Sequence, residues 1–292
     1  MDTEQVTSNI TVIKGKNRGK FPFSHSILIE DDITALIDTG CGIENLTQLK
    51  GIDIVINSHS HPDHTAGNWL FQGIPLKVPE EEVDFNSNVK KLSERYTEKG
   101  ELSEIWRDFV FNRMSFRNAL PTETYHNKEV LNFGDTTLEA VHTPGHTAGH
   151  YCFFEKDRKV LFSFDIDFTT FGPWYGHRES DIEQFKASIK KVRALHPEIV
   201  VSSHTEIIKE DIERKFDEFV NVFCERDECI LTFLQKERTL KEIVDKALIY
   251  KNFSFHPVLL RYWEEMMIRK HLKTLIDAGY VMKTQKGFLR KG

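Results

Sequence analysis

The sequence predicts an α/β fold, and three patterns in its 292 residues support this. Residues 8–37 alternate apolar and polar side chains as short strands do, and residues 52–56 form the apolar run of a buried strand. Residues 180–195 have helical spacing, with Ser180 as the predicted N-cap and Glu183 completing a capping box, and a further apolar strand follows at 198–204. A strand, a helix and a strand in succession are typical of sheets covered by helices.

The composition indicates a globular protein of a reducing compartment. Hydrophobic residues make up 39% of the chain, which is enough for a substantial core. No window approaches 18 apolar residues, and the first ten residues lack the basic and apolar segments of a secretion signal. The four cysteines form no CxxC pair and no disulfide framework. We therefore expect a cytoplasmic protein without membrane contact.

Charge is distributed unevenly along the chain. Residues 236–292 carry 13 Lys and Arg against 6 Asp and Glu, whereas the rest of the chain carries 26 against 39. An acidic body is therefore followed by a basic tail. The length also favours one large domain and one smaller one, because single cores seldom grow beyond about 250–300 residues.

The segment 59–64, with the sequence HSHPDH, has the strongest chemical signal. Three histidines and an aspartate lie directly behind the predicted strand at 52–56, namely His59, His61, Asp63 and His64. Imidazoles two residues apart can turn their nitrogens to one point, while Asp63 and His64 can face a second point nearby. This metal loop could therefore serve two metal ions about 3.5–4 Å apart.

Three more candidate ligands follow, each at the end of a predicted strand. They are His146 in TPGHTAGH, Asp165 after VLFSF and His204 after EIVVSS. Strand alternation turns Asp167 to the same side as Asp165, and we choose Asp165 because it ends the apolar run. Asp38, in the turn after ITALI, is expected to accept hydrogen bonds from the metal loop.

The motif HxHxDH, followed by a distant His, Asp and His, resembles the signature of the metallo-β-lactamase fold superfamily. The turn at 38–40 also matches, and the resemblance covers roughly residues 8–210. It implies a four-layered αββα sandwich over residues 1–210, with a helical insertion at about 80–128. It also implies a dinuclear site in which Asp165 bridges two ligand sets, namely His59, His61 and His146 on one side and Asp63, His64 and His204 on the other.

The implied ligands are nitrogen and carboxylate donors, which suit Zn²⁺ best, with Mn²⁺ and Fe²⁺ as alternatives. Water shared by two such ions ionises near neutral pH, so the resemblance implies hydrolysis by a hydroxide of the dinuclear site. Asp63 is expected to orient this hydroxide or to pass a proton to the leaving group. His61 replaces the glutamate of flavodiiron-type reductases, which argues against that chemistry. Phe164 and Thr205 stand where the superfamily commonly has glycine, and we expect both to narrow the pocket.

Two segments are candidates for enclosing a substrate. The loop after Asp165 contains three residues that we predict to contact the substrate, namely Trp174, Tyr175 and His177. The insertion at 80–128 is either a lid over the site or a helical pair used for homodimer formation.

Residues 211–292 are predicted to form a second, mainly helical unit that ends in a small basic hairpin. Helices followed by such a hairpin resemble the winged helix at the carboxyl end of the lactamase-beta-like protein 2 branch of the superfamily. A winged helix either binds nucleic acid through its charge or packs as a buttress of the active site, and we favour packing.

Three functional hypotheses follow. The first is a metal-dependent hydrolase of a small ester, thioester or lactone, favoured by the acidic body and the enclosing insertion. The second is a metal-dependent endoribonuclease of the lactamase-beta-like protein 2 type, favoured by the basic tail. The third is a non-catalytic nucleic-acid-binding or regulatory protein, which the complete ligand set opposes. We favour the first.

Overall fold

Two large β-sheets organise the chain in the computed structural model, which describes residues 1–254 and 256–291. Phe255 and Gly292, two positions of the predicted tail unit, lie outside the described residues. The first sheet has its strands in chain order, antiparallel up to the fourth strand and parallel from there on. These strands are β1 (Thr3–Gln5), β2 (Ile10–Ile13), β3 (Ser26–Ile29), β4 (Ala35–Ile37), β5 (Ile54–Ile56), β6 (Leu76–Pro79) and β7 (Glu123–Tyr125).

The second sheet consists of β8 (Val130–Asn132), β9 (Thr137–His142), β10 (Tyr151–Glu155), β11 (Val160–Phe164) and β12 (Ile199–Ser202). Its spatial order is β12, β11, β10, β9, β8, and β11 and β12 run parallel. A separate hairpin follows near the end of the chain, formed by β13 (Val281–Lys283) and β14 (Phe288–Arg290).

The helices cover the sheets, and no helix in the described part of the chain is long and apolar enough to cross a membrane. Short 3₁₀ turns lie at Lys16–Gly19, Asn68–Phe71 and Glu80–Glu82. The α-helices are α1 (Ile43–Leu46), α2 (Pro62–Thr65), α3 (Val83–Ser87), α4 (Val89–Thr97), α5 (Glu101–Arg113), α6 (Ile182–Arg193), α7 (Ile212–Phe233), α8 (Leu240–Asp245) and α9 (Pro257–Asp277).

The central core lies between the two large sheets. Ile27 and Ile29 of β3 point into it, whereas Leu28 points to the outer face of the first sheet. In β11, Phe162 points inward and Leu161 points outward. Strands buried on both faces have continuous apolar runs, as these do.

The outer faces of both sheets are covered by helices. On the first sheet, Leu46 of α1 belongs to the same apolar cluster as Leu36. On the second sheet, Phe185 of α6 and Phe223 of α7 join the cluster that contains Leu161. The predicted four-layered αββα sandwich is thereby confirmed.

The start of α6 differs from the prediction by one residue. The N-cap is Asp181, whose carboxylate accepts a hydrogen bond from the Gln184 backbone N–H at 2.8 Å. The Ser180 hydroxyl instead donates to the His146 carbonyl at 2.8 Å. Serine and aspartate are both good N-caps, and a carboxylate is additionally favoured by the helix dipole, so the choice of Ser180 was wrong.

The insertion and the tail pack against each other. Trp106 and Phe109 of α5 share an apolar cluster with Trp263 of α9 and with Ala66, which follows the metal loop. The long helices α7 and α9 also join the core of the second sheet. The apolar core is therefore continuous across the predicted domain boundary at residue 210.

Candidate metal centre

The metal loop leaves the first sheet at the carboxyl end of β5 and turns into the short helix α2. Pro62 stands in the first turn of α2, where its fixed φ suits the helix and its missing N–H is not needed. This turn carries Asp63 and His64, while His59 and His61 lie on the preceding loop. Sequence and local conformation together therefore bring four polar side chains to one edge of the sandwich.

Asp38 braces this loop from the neighbouring end of β4. Its carboxylate accepts hydrogen bonds from the Ser58 N–H at 2.8 Å, the Ser58 hydroxyl at 2.7 Å and His64 Nδ1 at 2.7 Å. The Asp38 backbone has a φ of 57°, in the left-handed region that costs a residue with a Cβ roughly 1–2 kcal/mol. Three hydrogen bonds to one buried carboxylate offset that strain.

The Asp165 carboxylate lies between two groups of ligand atoms. Its Oδ2 faces His146 Nε2 at 3.0 Å, His59 Nε2 at 3.6 Å and His61 Nδ1 at 3.8 Å. Its Oδ1 faces His64 Nε2 at 2.9 Å and His204 Nε2 at 3.3 Å. The second group is completed by Asp63, whose Oδ2 is 3.7 Å from His204 Nε2. One carboxylate is therefore placed to be shared by both groups.

Each of the five histidines uses one ring nitrogen for a protein contact and turns the other toward the centre. The outer contacts are His59 Nδ1 with Ser58 Oγ at 3.0 Å, His61 Nε2 with His177 Nε2 at 2.6 Å, His64 Nδ1 with Asp38 at 2.7 Å, His146 Nδ1 with the Trp174 carbonyl at 2.8 Å and His204 Nδ1 with the Gly19 carbonyl at 2.5 Å. A nitrogen that donates to a carbonyl or carboxylate is protonated, so the opposite nitrogen keeps the lone pair that a metal needs.

Burial and the central carboxylate set the protonation of the site. Burial lowers the pKa of His59 and the pKa of His61 well below the ordinary value. Burial acts in the same direction on His64 and His204, but Asp165 outweighs it and raises both pKa values, that of His204 to about 9. Burial opposes ionisation of Asp165, yet the histidines around it hold its pKa well below the usual range. The pocket therefore favours positive charge beside Asp165.

The residues present suit two divalent cations. Three buried polar atoms of this centre have no hydrogen-bond partner among the described residues, namely His59 Nε2, His64 Nε2 and Asp165 Oδ1. Each such atom is destabilising by about 1–3 kcal/mol when it stays unpaired, and all three point to the centre where cations would satisfy them. Imidazole nitrogen with carboxylate oxygen is a donor set for Zn²⁺ and also for Mn²⁺ or Fe²⁺.

Two polar neighbours of Asp165 have structural partners instead. Asp167 accepts hydrogen bonds from the Thr169 N–H and hydroxyl, both at 3.0 Å, and burial raises its pKa to about 6. His150 Nε2 accepts from the Asp165 N–H at 3.2 Å, and burial lowers the pKa of His150 to about 3. A neutral His150 thus holds the backbone of the central aspartate.

Phe164 and Thr205 do not narrow the site, contrary to expectation. Phe164 has a φ of 48°, the left-handed conformation that glycine adopts without strain. Its ring points away from the ligands into the core between the sheets, 5.6 Å from Phe153 by ring centroids. The Thr205 hydroxyl donates to the Asp167 carbonyl at 3.1 Å. Both departures from glycine are absorbed by the surrounding structure.

Trp174 stays a candidate for substrate contact. Its ring is partly exposed and stands edge-on to His61 and His146, at centroid distances of 5.5 and 5.7 Å. Its Nε1–H donates to the Tyr250 hydroxyl at 2.7 Å, which fixes the ring against the tail unit.

Tyr175 and His177 are fully buried, so their contact with substrate stays a prediction that their burial does not favour. Tyr175 belongs to the core of the second sheet, where its hydroxyl lies 2.6 Å from His271 Nε2 of α9. His177 lies behind the His61 ring and presents no surface to the pocket. Both residues contact α9, a helix that follows them by about 80 residues or more in the sequence, so their burial could not be predicted from the local pattern.

Tyr96 of α4 was missed by the sequence reasoning. Its ring lies 5.2 Å from that of His61 and 4.2 Å from that of His177 by centroids. Its side chain is 6% exposed, and its hydroxyl has no hydrogen-bond partner among the residues described. Burial and then Asp63 raise the pKa of Tyr96, so the hydroxyl keeps its proton. Only the folded insertion distinguishes this tyrosine from its neighbours.

A buried ion pair connects the insertion with the metal loop. Arg95 Nη2 donates to Glu82 Oε1 at 2.8 Å, and Arg95 Nη1 donates to Ser60 Oγ at 2.8 Å. Glu82 Oε1 also accepts from the Gly149 N–H at 2.9 Å. Ser60 lies between the ligands His59 and His61, so the pair contacts the middle of the metal loop.

A family model described as the metallo-beta-lactamase superfamily matches residues 19–204, a range that contains every candidate ligand. The chain belongs to the metallo-beta-lactamase superfamily. Two solved members of similar fold cover almost the whole chain. A metallo-beta-lactamase family protein from Thermus thermophilus has a TM-score of 0.73 at 20% identity, covering 98% of this chain and 100% of that one. A beta-lactamase domain protein from Burkholderia ambifaria has a TM-score of 0.72 at 17% identity, covering 99% and 94%.

Relatives of this superfamily member include proteins named as thioesterases. The acyl-coenzyme A thioesterase MBLAC2 of Homo sapiens is 32% identical over 158 residues, which are 47% of this chain and 54% of that protein. The chain therefore spans about half the length of this relative. The atrochrysone carboxyl ACP thioesterase of Passalora fulva is 23% identical over 265 residues, covering 83% of this chain and 69% of that protein.

Proposed function

We propose that this superfamily member is a metal-dependent hydrolase that cleaves a thioester of a small acyl group. The observation that carries the proposal is the Asp165 carboxylate, whose two oxygens face two separate groups of ligand atoms. The relatives named as acyl-coenzyme A and carboxyl ACP thioesterases support a thioester over an ester or a lactone. The complete set of donors supports an enzyme over a non-catalytic regulatory protein.

Two divalent ions complete the proposed site, with Zn²⁺ as the first choice and Mn²⁺ or Fe²⁺ as alternatives. When bound, such ions lower the pKa of water to about 7 and polarise a carbonyl oxygen. The first ion would be held by His59, His61 and His146, and the second by Asp63, His64 and His204, with Asp165 shared between them.

The reaction joins the oxygen of water to the thioester carbonyl carbon and breaks the carbon–sulfur bond, giving a carboxylic acid and a thiol. Asp63, whose carboxylate is near His204, orients the attacking water and passes its proton to the departing sulfur. The Tyr96 ring lies beside that of His61, and Asp63 helps to raise the pKa of Tyr96, so we assign its hydroxyl to donate a hydrogen bond to the carbonyl oxygen as negative charge develops there. The Trp174 ring excludes water and packs against the acyl group.

The tail supports the endoribonuclease alternative less than its net charge suggests. Arg238 forms an isolated β-bridge with Phe288 and so adds to the terminal hairpin, a topology that resembles a winged helix. Basic residues of α8 and α9 are nevertheless paired with acidic ones, in Lys241–Asp245, Arg261–Asp245, Arg269–Glu265 and Lys273–Asp277. Binding of RNA requires cations free to contact phosphates, and the pairs reduce their number on α8 and α9 without removing the basic excess of the tail. Packing is favoured by Trp263 of α9, which shares an apolar cluster with Trp106 of the insertion. We therefore propose that the winged-helix-like tail packs against the site.

The packing of the insertion favours a lid within one chain and argues against a homodimer contact, because α9 already covers the apolar face of the insertion. We retain the cytoplasm as the proposed location, on the basis of the cysteine pattern.

The test is turnover by the zinc-loaded protein of acetyl, butyryl and octanoyl N-acetylcysteamine thioesters, with release of thiol measured by a chromogenic disulfide. Asp165→Ala is expected to bind fewer ions and to lose more activity than the about 10- to 100-fold that loss of an outer partner produces. Asp157→Ala, at an exposed turn, is the control and should match the parent protein. Cleavage of single-stranded RNA without any thioester turnover would favour the endoribonuclease.

A further inference from the structure

We propose, on the basis of the proposed metal-dependent hydrolase, that His177 is a positioning residue for its metal centre. His177 fixes the ring of His61 so that Nδ1 faces the cations, and the insertion and the tail helix α9 together hold His177 in place. Both appended segments would then be parts of the metal site itself.

The direction of the hydrogen bond between the two imidazoles follows from geometry. His61 Nε2 and His177 Nε2 are 2.6 Å apart, so one of them donates and the other accepts. His61 Nδ1 lies 3.0 Å from His146 Nε2 and 3.8 Å from Asp165 Oδ2, within the first ligand group. A ligand nitrogen carries a lone pair, so the proton of the neutral His61 ring is on Nε2. His61 is therefore the donor and His177 Nε2 the acceptor.

The other nitrogen of His177 fits this assignment. A neutral ring that accepts at Nε2 carries its proton on Nδ1. His177 Nδ1 lies 3.3 Å from the Arg95 carbonyl oxygen, which can only accept. The hydrogen bonds thus run in one direction, from His61 through His177 to the backbone of α4. The opposite direction would place a proton on the His61 nitrogen that faces the cations.

Contacts from three elements immobilise His177. Its carbonyl accepts a hydrogen bond from Lys270 Nζ of α9 at 2.6 Å. Its ring packs edge-on against Tyr96 of α4 at 4.2 Å and against Trp174 at 4.9 Å by centroids. Trp263 of α9 donates from its Nε1 to the Tyr96 carbonyl at 2.9 Å, which ties the tail to the same turn of the insertion. His177 has no exposed surface.

The acceptor beyond His177 is also held firmly. The Arg95 side chain is paired with Glu82 and Glu179 and donates to Ser60 Oγ at 2.8 Å. Ser60 immediately precedes His61 in the metal loop. His61 contacts His177, His177 contacts the Arg95 backbone, and the Arg95 side chain contacts Ser60, the residue before His61.

The outer partner of His61 differs in kind from those of the other four histidines. They contact backbone carbonyls, a carboxylate or a hydroxyl, whereas His61 contacts an imidazole. A single substitution can therefore remove this partner without altering any backbone or any ligand. The outer partners of metal-binding histidines typically affect metal affinity by about 10- to 100-fold.

The experiment compares three substitutions of His177. His177→Leu fills the space without an acceptor, His177→Asn is polar but too short to reach His61, and His177→Gln places an amide oxygen within reach. His196→Asn, at an exposed histidine whose left-handed backbone asparagine tolerates, is the control. Zinc dissociation constants are measured by competition with a chromogenic chelator, and the Co²⁺-loaded proteins are compared by their visible absorption.

We expect the Leu and Asn variants to weaken one of the two zinc sites by about 10- to 100-fold and to alter the Co²⁺ spectrum. The Gln variant should recover most of the affinity, and the control should match the parent protein. If the Leu variant does not fold, the Asn variant provides the same comparison.

Parental zinc affinity and an unchanged Co²⁺ spectrum in the Leu or Asn variant would overturn the role of His177. Equal weakening in the Gln, Asn and Leu variants would also overturn it, because a purely structural histidine is not rescued by an acceptor. Failure of the proposed hydrolase would appear differently, as zinc-replete parent protein without thioester turnover, and would leave the metal measurements intact.

Discussion

Tyr96 is the polar side chain at the centre whose hydroxyl is left without a protein partner. The histidines and carboxylates around it make hydrogen bonds that fix their orientation, as Asp38 does for His64. The Tyr96 hydroxyl makes none within the described residues, and it is not among their fully buried unpaired atoms, so it keeps contact with solvent. A donor that meets only solvent in the free protein can turn to a bound carbonyl oxygen as negative charge develops there.

Tyr96→Phe should therefore lower kcat for thioester hydrolysis by about 100-fold, the loss typical of removing one donor to a developing oxyanion. KM and zinc content should change little, because the ring and the ligands are preserved. The measurement is steady-state kinetics with the metal-loaded protein, and Tyr262→Phe on α9 is the matched control. A Tyr96→Phe protein with parental kcat would reduce Tyr96 to a packing residue.

The seven candidate ligands could be named from the sequence because they lie just past predicted strands and match the order of the superfamily motif. Their outer partners could not all be named in the same way. Asp38 lies in a motif near the metal loop, whereas His177 and Tyr96 reach the centre only when α4 and α9 pack together. Tyr175 was assigned to the substrate because its loop directly follows Asp165, yet its side chain is fully buried in the core of the second sheet, whereas that of Trp174 is only partly buried.

At the scale of the elements, we expect the packing of the insertion on the metal loop to depend on one buried ion pair. The side chains of Glu82 and Arg95 are 0% and 2% exposed, and both contact the metal loop or its neighbours. Breaking a buried pair from one side leaves an uncompensated charge, which typically costs about 3–5 kcal/mol.

Glu82→Gln is expected to lower the free energy of unfolding by up to about 3–5 kcal/mol, because Arg95 then keeps only the partly exposed Glu179 as an ionic partner. Urea unfolding of the metal-free protein provides the measurement. Asp84→Asn in the same insertion is the control, since its exposed pair with Lys91 is worth no more than about 1 kcal/mol. The double variant Glu82→Leu/Arg95→Met should recover part of the loss, and a Glu82→Gln protein as stable as the control would contradict the prediction.

The elements themselves were largely predictable, since strands buried on both faces give continuous apolar runs and amphipathic helices give a clear period. The packing partner of the insertion was not. The apolar positions of α5, such as Trp106 and Phe109, indicate that one face is buried but not which surface covers it. A lid and a dimer contact have the same pattern, and only the position of α9 distinguishes them.

For the molecule as a whole, metal removal should reduce stability substantially. The centre leaves several buried nitrogen and oxygen atoms unpaired without cations. Ligands that bind only the folded state stabilise it by about 2.7 kcal/mol at a concentration 100 times Kd. Calorimetry before and after dialysis against a chelator is expected to show a clear drop in Tm, and the Asp165→Ala protein should show a smaller one. Identical Tm values with and without zinc in the parent protein would argue against the site.

A second prediction for the whole molecule concerns pH and the contact between the tail and the second sheet. His271 of α9 is buried, with Nε2 accepting from the Tyr175 hydroxyl at 2.6 Å and Nδ1 donating to Asp227 at 2.7 Å. Burial lowers the pKa of His271 although Asp227 opposes this, so the folded protein keeps the ring neutral. The unfolded chain protonates it below about pH 6.5.

The contribution of His271 to stability is therefore fully present above about pH 6.5 and declines as the pH falls below that value, by up to about 1.4 kcal/mol per pH unit. His271→Gln should be less stable than the parent at pH 7.5 and should lose less on acidification to pH 5.5. The free energy of unfolding of both proteins is measured by urea unfolding at the two pH values. Both proteins contain the same metal centre, so the difference between them removes the contribution of its titration. Equal losses in both proteins would contradict the prediction.

The role of the tail shows where sequence reasoning stops at the largest scale. Its basic count suggested a surface for an acidic partner, and pairs within the helices, such as Lys241–Asp245 and Arg269–Glu265, leave a basic excess in place. The packing of α9 against the insertion is what favours a structural role. The expected choice between nucleic acid and packing therefore depended on contacts that no local pattern contains.

The late position of α9 in the chain has a consequence for protein synthesis. Domains generally form from the amino-terminal end as the ribosome extends the chain. All candidate ligands have been synthesised once residue 204 has emerged, but the contacts of Trp263 and Lys270 with the insertion and the loop await the synthesis of α9. A chain released before α9 is made would carry the seven candidate ligands without the contacts that hold His177 beside His61. The proposed centre would therefore be completed only after α9 has been synthesised.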